Sequence, residues 1–139
     1  MSRALSAFLA RKDAPGRSEL QKAVDGLGFK VVIDDAYVPL KTSGYLPCTF
    51  DGEDAGFTIK FLEVDPKAER PEELKAALGD RDVEVTFRWS GDPREAVSAL
   101  AVAAALTTGF GAIVYDTGDK VLVSSDDLIA KARKAASAL

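Results

Sequence analysis

Val83-Glu-Val-Thr-Phe-Arg-Trp89, followed by Asp92-Pro-Arg-Glu95 and the run Ala96-Val-Ser-Ala-Leu-Ala-Val-Ala-Ala-Ala-Leu-Thr-Thr108, decides the fold of this chain. Val83, Val85, Phe87 and Trp89 alternate with Glu84, Thr86 and Arg88, the period of a strand with one face in the core and one in water. Asp92 as cap, Pro93 at the first helical position and Glu95 in the first turn predict a helix start. The residues that follow are almost all apolar and small. A helix apolar all round must be covered on most sides, and alanines let it lie close against a sheet.

Downstream, Gly109-Phe-Gly111 stops that helix, and Ala112 to Tyr115 and Lys120 to Val123 read as a hairpin around Asp116-Thr-Gly-Asp119. Ser124 caps a last helix with Asp126 and Asp127 early and Lys131, Arg133 and Lys134 late, as the helix dipole favours. Upstream, Pro66 to Leu78 contains a charged helix with Pro71 as its first residue. Tyr45 to Phe50 and Phe57 to Val64 read as two strands joined by Asp51-Gly-Glu-Asp-Ala-Gly56. Asp34 to Gly44 reads as a loop and Phe29 to Ile33 as a strand. Ser18-Glu-Leu-Gln21 is a capping box that opens a helix ending near Gly26 and Gly28. Residues 1–10 read as a short amphipathic helix with Leu5, Phe8 and Leu9 on one face.

The order α-α-β-β-β-α-β-α-β-β-α clusters its strands. It predicts an α+β fold: a mostly antiparallel sheet of about five or six strands, with helices packed on it and the alanine-rich one buried. No repeat or linker divides residues 1–139, which are read as a single domain.

Of the 139 residues 47% are hydrophobic and 29% charged, an ordinary globular composition. No apolar run approaches the roughly 18 residues of a membrane span. The short apolar run at the start leads into Arg11-Lys12-Asp13 rather than a small-residue cleavage site. A lone cysteine, Cys48, fits a reducing compartment. The expectation is a cytoplasmic chain with no membrane partner. A net charge of −4 and a pI near 4.9 argue against a nucleic-acid partner, which would call for gathered Lys and Arg.

Histidine is absent, so no Ser-His or Cys-His nucleophile and no imidazole-based metal site exists in this sequence. Cys48 then reads as a small buried hydrophobe. The glycines of Gly109-Phe-Gly111 follow a helix and precede a strand, the reverse of a phosphate-binding loop, where phosphate meets a helix N-terminus. No catalytic residue, metal or cofactor is expected. Between Asp34 and Asp54 lie five acids (Asp34, Asp35, Asp51, Glu53, Asp54) and one base, Lys41, so this stretch holds the whole net negative charge. It reads as a solvated turn, as a protein-binding edge, or as carboxylates for acid/base or cation chemistry, although its spacing is not that of an EF-hand. Tyr37 and Tyr45 sit off any strand period, either as anchors beside those charges or with their rings against the sheet edge. The expected partner-binding set is Asp34, Asp35, Tyr37, Lys41, Tyr45, Asp51, Glu53 and Asp54.

Gly44-Tyr-Leu-Pro-Cys-Thr-Phe-Asp-Gly-Glu-Asp-Ala-Gly-Phe57 and Val83-Glu-Val-Thr-Phe-Arg-Trp89, with the alanine-rich helix and Gly111-Ala-Ile-Val-Tyr-Asp116, resemble small bacterial immunity proteins of polymorphic toxin systems. The resemblance covers roughly residues 29 to 127 and rests on core and turn residues, so no functional motif is carried over. It implies a non-catalytic chain that binds and neutralises a cognate secreted toxin. The element order is also similar to chaperones of type III secretion effectors, α-β-β-β-α-β-β-α, if the first helix, the helix near Pro71 and one of the two strands at Tyr45 to Val64 count as additions; the long acidic loop and second hairpin fit less well. A small carboxylate-dependent hydrolase is the reading of a different class.

Overall fold

The opening segment forms a strand, β1 (Ala4–Leu9), not the amphipathic helix expected from Leu5, Phe8 and Leu9. The computed structural model describes residues 3–139, so Met1 and Ser2 of that expected helix lie outside the described residues. Leu5, Ala7 and Leu9 are buried on one face of the strand and Ser6 and Phe8 on the other. A strand covered on both sides loses its alternation, and a short apolar run then reads equally well as helix.

After a single 3-10 turn (Arg11–Asp13) come α1 (Arg17–Gly26), β2 (Val31–Ile33), β3 (Ser43–Leu46), β4 (Cys48–Phe50), β5 (Glu53–Asp54), β6 (Phe57–Glu63) and α2 (Glu72–Leu78). The chain ends with β7 (Val83–Arg88), α3 (Pro93–Phe110), β8 (Ile113–Asp116), β9 (Val121–Val123) and α4 (Ser125–Ser137). α1 starts two residues earlier than its sequence signal: Gly16 is the cap, and its N–H donates to Glu19 Oε1 at 3.3 Å, so Ser18 lies inside the helix. At α3 and α4 the expected caps are present, Asp92 accepting from the Arg94 N–H and Ser124 Oγ from the Asp127 N–H.

Six strands form one antiparallel sheet in the order β3-β6-β7-β1-β8-β9, and β2-β4-β5 form a second. The fold is therefore α+β with a mostly antiparallel sheet, as the clustering of strands predicts. α3 lies on the inner face of the large sheet, against Leu5, Ala7, Val85, Phe87 and Val114, and also packs against α1, α4 and the small sheet. From Val97 to Leu106 every residue of α3 is buried. α2 lies on the opposite, outer face, where Leu74 and Leu78 cover Phe8, Ile113, Tyr115 and Leu122. It covers only the β1–β8–β9 half.

The two sheets share one long hairpin. Ser43 pairs with Lys60 and Leu46 with Phe57, and the same register continues, without a slip, to Thr49–Asp54 and Phe50–Glu53. The turn is two residues, Asp51 (φ 53°) and Gly52 (φ 82°), both left-handed, the primed turn that suits the twist of a hairpin. The expected six-residue connection is thus corrected to Asp51–Gly52, with Glu53 and Asp54 already paired. The hairpin passes from one sheet to the other where Pro47 faces Gly56. Pro47 has no N–H for a ladder, and the Pro47 carbonyl accepts instead from the Asp34 N–H at 3.2 Å. Gly56 allows no side chain: a Cβ there would run into the Tyr45 ring and lie 2.6 Å from the Leu46 carbonyl oxygen.

Candidate partner-binding surface

Alternation along the hairpin sorts its side chains onto two faces. Cys48, Phe50, Glu53 and Ala55 face inward, toward α3, whereas Tyr45, Pro47, Asp54, Thr58, Lys60 and Leu62 share the outer face. Val32 joins the outer face by pairing with Thr49, and Arg88 by pairing with Thr58. Three of the large apolar side chains left exposed, Val32 (52%), Tyr45 (61%) and Leu62 (38%), therefore lie on this one face. The Tyr45 ring is braced over Gly56. It keeps most of its surface in water.

The acids close in sequence do not converge on that face. Glu53 pairs with Arg94 at the start of α3, Asp35 pairs with Arg17 of α1 at 3.3 Å, and Asp51 pairs with Lys30 at 3.9 Å. Asp34 turns back on its own loop and accepts from the Ala36 N–H at 2.8 Å. Asp54 alone shares the side of Tyr45. Bases from α1, α3 and the loop before β2 thus answer most of the charge concentrated in Asp34–Asp54. Such exposed pairs contribute about 0–1 kcal/mol each to stability, but they cancel the field of a contiguous acidic patch. Lys41 is exposed in the loop before β3.

Tyr37 is buried, 4% exposed, with its hydroxyl donating to the Pro15 carbonyl at 3.0 Å and its ring against Phe61. It holds the Asp34–Thr42 loop to the core and presents no anchor to a partner, which corrects its place in the expected set. Burial also pushes its hydroxyl well above the ordinary tyrosine range. Cys48 is buried beneath the hairpin. Burial raises its thiol to about 12, partly opposed by a hydrogen bond with the Asp34 backbone and reinforced by the Asp34 charge. A thiol so held is a packing group, not a nucleophile.

Val32, Pro47, Lys60 and Arg88 belong to the surface and were not singled out from sequence. Only the pairing register joins β2, β3, β5, β6 and β7 across more than fifty residues of chain, although the turn signal Asp51–Gly52 could have set the hairpin half of it. Among the described residues, Asp54, Lys60 and Arg88 have no ion-pair partner, and no three His, Cys, Asp or Glu side chains are grouped to hold a metal. No family model matches this chain, no curated protein matches it, and no solved structure matches it.

Proposed function

We propose that this chain is a non-catalytic binding protein, an immunity protein that neutralises a cognate secreted toxin through the outer face of the Ser43–Glu63 hairpin. The observation that carries the reading is Tyr45: an aromatic 61% exposed, lying over Gly56, on a face built from paired strands. Exposed tyrosines of this kind are frequent energetic centres of protein interfaces. Asp54, Lys60 and Arg88, all exposed on this face, supply charges that orient a partner. A cytoplasmic setting, where such a toxin would otherwise act, goes with this reading.

The gene beside this chain's own tests it first: the reading expects a toxin domain there, and growth of cells that express that domain is the assay. Co-expression of the wild type should restore growth, and the two purified proteins should form a complex. Tyr45→Ala should hasten dissociation by roughly 30-fold, about 2 kcal/mol, if Tyr45 is the centre of the interface. Asp54→Asn should slow association and flatten its dependence on salt, whereas Asp35→Asn should change neither. Absence of both protection and complex would end the reading.

A second reading has one observation in its favour. From α1 on, and with β2, the small-sheet ends of the hairpin and α2 set aside as additions, the order is α-β-β-β-α-β-β-α, that of the secretion-effector chaperones. A secreted effector, rather than a toxin domain, encoded beside the chain would favour it.

A further inference from the structure

Bonded and unbonded pairs alternate along an antiparallel ladder, and the alternation decides which backbone groups of β3 face away from β6. A two-residue turn closes on a bonded pair, here Phe50–Glu53. Two steps further on, the Ala55 N–H donates to the Cys48 carbonyl at 2.9 Å. Carried through the unbroken register, Leu46–Phe57 and Gly44–Ile59 are bonded pairs, whereas Tyr45–Thr58 and Ser43–Lys60 are not. The N–H and C=O of Tyr45 and Ser43 therefore point outward, to the side where β2 lies against β4. On that side the Lys30 carbonyl accepts from the Asp51 N–H at 3.0 Å, Val32 pairs with Thr49, and the Asp34 N–H donates to the Pro47 carbonyl at 3.2 Å. The next place in this line, opposite Tyr45, belongs by register to Ala36. The chain leaves the line first: Asp34 Oδ2 takes the Ala36 N–H at 2.8 Å, and the Asp34 carbonyl takes the Tyr37 N–H at 3.1 Å. The outward N–H and C=O of Tyr45 and Ser43 are left with no partner among the described residues, and both residues are exposed.

Unpaired donors and acceptors at strand spacing are matched in full by another extended backbone. We infer that an extended segment of the partner protein adds a strand beside Ser43–Leu46, in line with β2 and in the place that Ala36 leaves empty. Tyr45 stands on the outer face beside that strand, so a β-branched or aromatic residue opposite it makes a favourable cross-strand pair. On the inner side Gly44 leaves open space, since a Cβ there would meet nothing within 4 Å. The other edges are closed or short. Gln21 and Arg17 bond the outward groups of β2. β5 is two residues long, and β9 is three residues long and leads directly into α4. An edge without such cover is where pairing with another chain begins. The partner is taken from the proposed function, on which this step rests; the open edge is not.

Amide exchange and selected peptides test it. In the free chain the Ser43 and Tyr45 amides should exchange rapidly with solvent, and those of Gly44 and Leu46, bonded to β6, slowly. Random linear peptides displayed on phage and selected on the folded chain should yield short strand-forming segments whose binding protects Ser43 and Tyr45. Methylating the backbone nitrogens of such a peptide one at a time should abolish binding at alternate residues only. Ser43→Pro removes an outward N–H that bonds nothing in the free chain. The variant should keep the wild-type urea midpoint yet bind the peptides roughly tenfold more weakly. Ser43→Ala should bind them as the wild type does. If Ser43→Pro unfolds the chain, the methylated peptides decide the matter on the wild type alone. Protected Ser43 and Tyr45 amides in the free chain, or a selection that yields no such peptide, overturns the inference. So does methylation tolerated at every position, or a peptide that binds Ser43→Pro as tightly as the wild type. A dimer of the purified chain that Ser43→Pro disrupts would put a second copy on the edge and overturn it too. No toxin enters this test. Its failure would leave the proposed function in place with another mode of contact, and a missing toxin would leave the edge as found.

Discussion

Cys48 and Tyr37 show what burial does to single residues of this chain. Both are held in their neutral forms, Cys48 with its thiol raised from 9.0 to about 12 and Tyr37 in the same direction. The sign of the consequence follows from linkage. Each group loses its proton more readily in the unfolded chain, so rising pH favours unfolding. The stabilisation from Cys48 is whole below 9.0 and is lost as pH climbs to about 12. Urea midpoints should therefore hold steady up to the ordinary thiol value and fall above it, with a shallower fall in Cys48→Ala. A Cys48→Ala curve that falls as steeply as the wild type would place the alkaline sensitivity elsewhere. Tyr37 was legible only as an aromatic off the strand period, and that pattern cannot tell an anchor from a strut. Its hydroxyl found the Pro15 carbonyl twenty-two residues away, a partner that no local pattern reveals.

At the scale of the element, β2 and α3 carry the sharpest expectations. β2 is an edge of the small sheet, and its outward backbone groups are closed by side chains of α1. Gln21 Nε2 donates to the Val31 carbonyl at 2.7 Å, Gln21 Oε1 accepts from the Ile33 N–H at 2.8 Å, and Arg17 Nε donates to the Ile33 carbonyl at 2.8 Å. One glutamine thus imitates a neighbouring strand and protects an edge open to unwanted pairing. Gln21→Ala should destabilise by about 1–3 kcal/mol, the cost of two backbone groups left without partners. It should also raise aggregation on heating, seen by light scattering. A wild-type urea midpoint in that variant would mean that water replaces the glutamine freely. In α3, Leu100→Ala should cost about 2–5 kcal/mol by leaving a cavity. Ala104, fully buried, should resist enlargement, with Ala104→Leu losing about 1–3 kcal/mol to overpacking. Chemical denaturation measures both.

For the molecule as a whole, β1 is the element on which the large sheet depends. It lies between β7 and β8, pairing with both, so the earliest part of the chain joins two later parts that have no direct ladder between them. Deleting residues 1–10 should abolish cooperative folding, read as loss of the calorimetric transition; a truncated chain with a sharp transition would make β1 an accessory. The exposed surface, 7243 Å², is close to the roughly 7,000 Å² expected of a compact chain of this mass. The folded surface therefore leaves no long segment standing away from the body.

What the sequence determined by itself is local. Val83–Arg88 shows its alternation, Asp92–Pro93 and Ser124 fix helix starts, and an alanine-rich run too apolar to face water requires a cover on most sides; these led to an α+β fold with α3 buried against the sheet. Each signal lies within a few residues, where period and capping geometry act. The tertiary structure decided what depends on partners far along the chain. β1 became a strand because two faces were waiting to cover it, and its own sequence suits a helix equally well. The acids of Asp34–Asp54 look like one patch in sequence, but Arg17, Lys30 and Arg94, which answer three of them, come from outside that stretch. The face shared by Val32, Tyr45, Asp54, Lys60 and Arg88 exists only through pairing register. Register is set by which residues meet across strands, and a single strand does not carry that information.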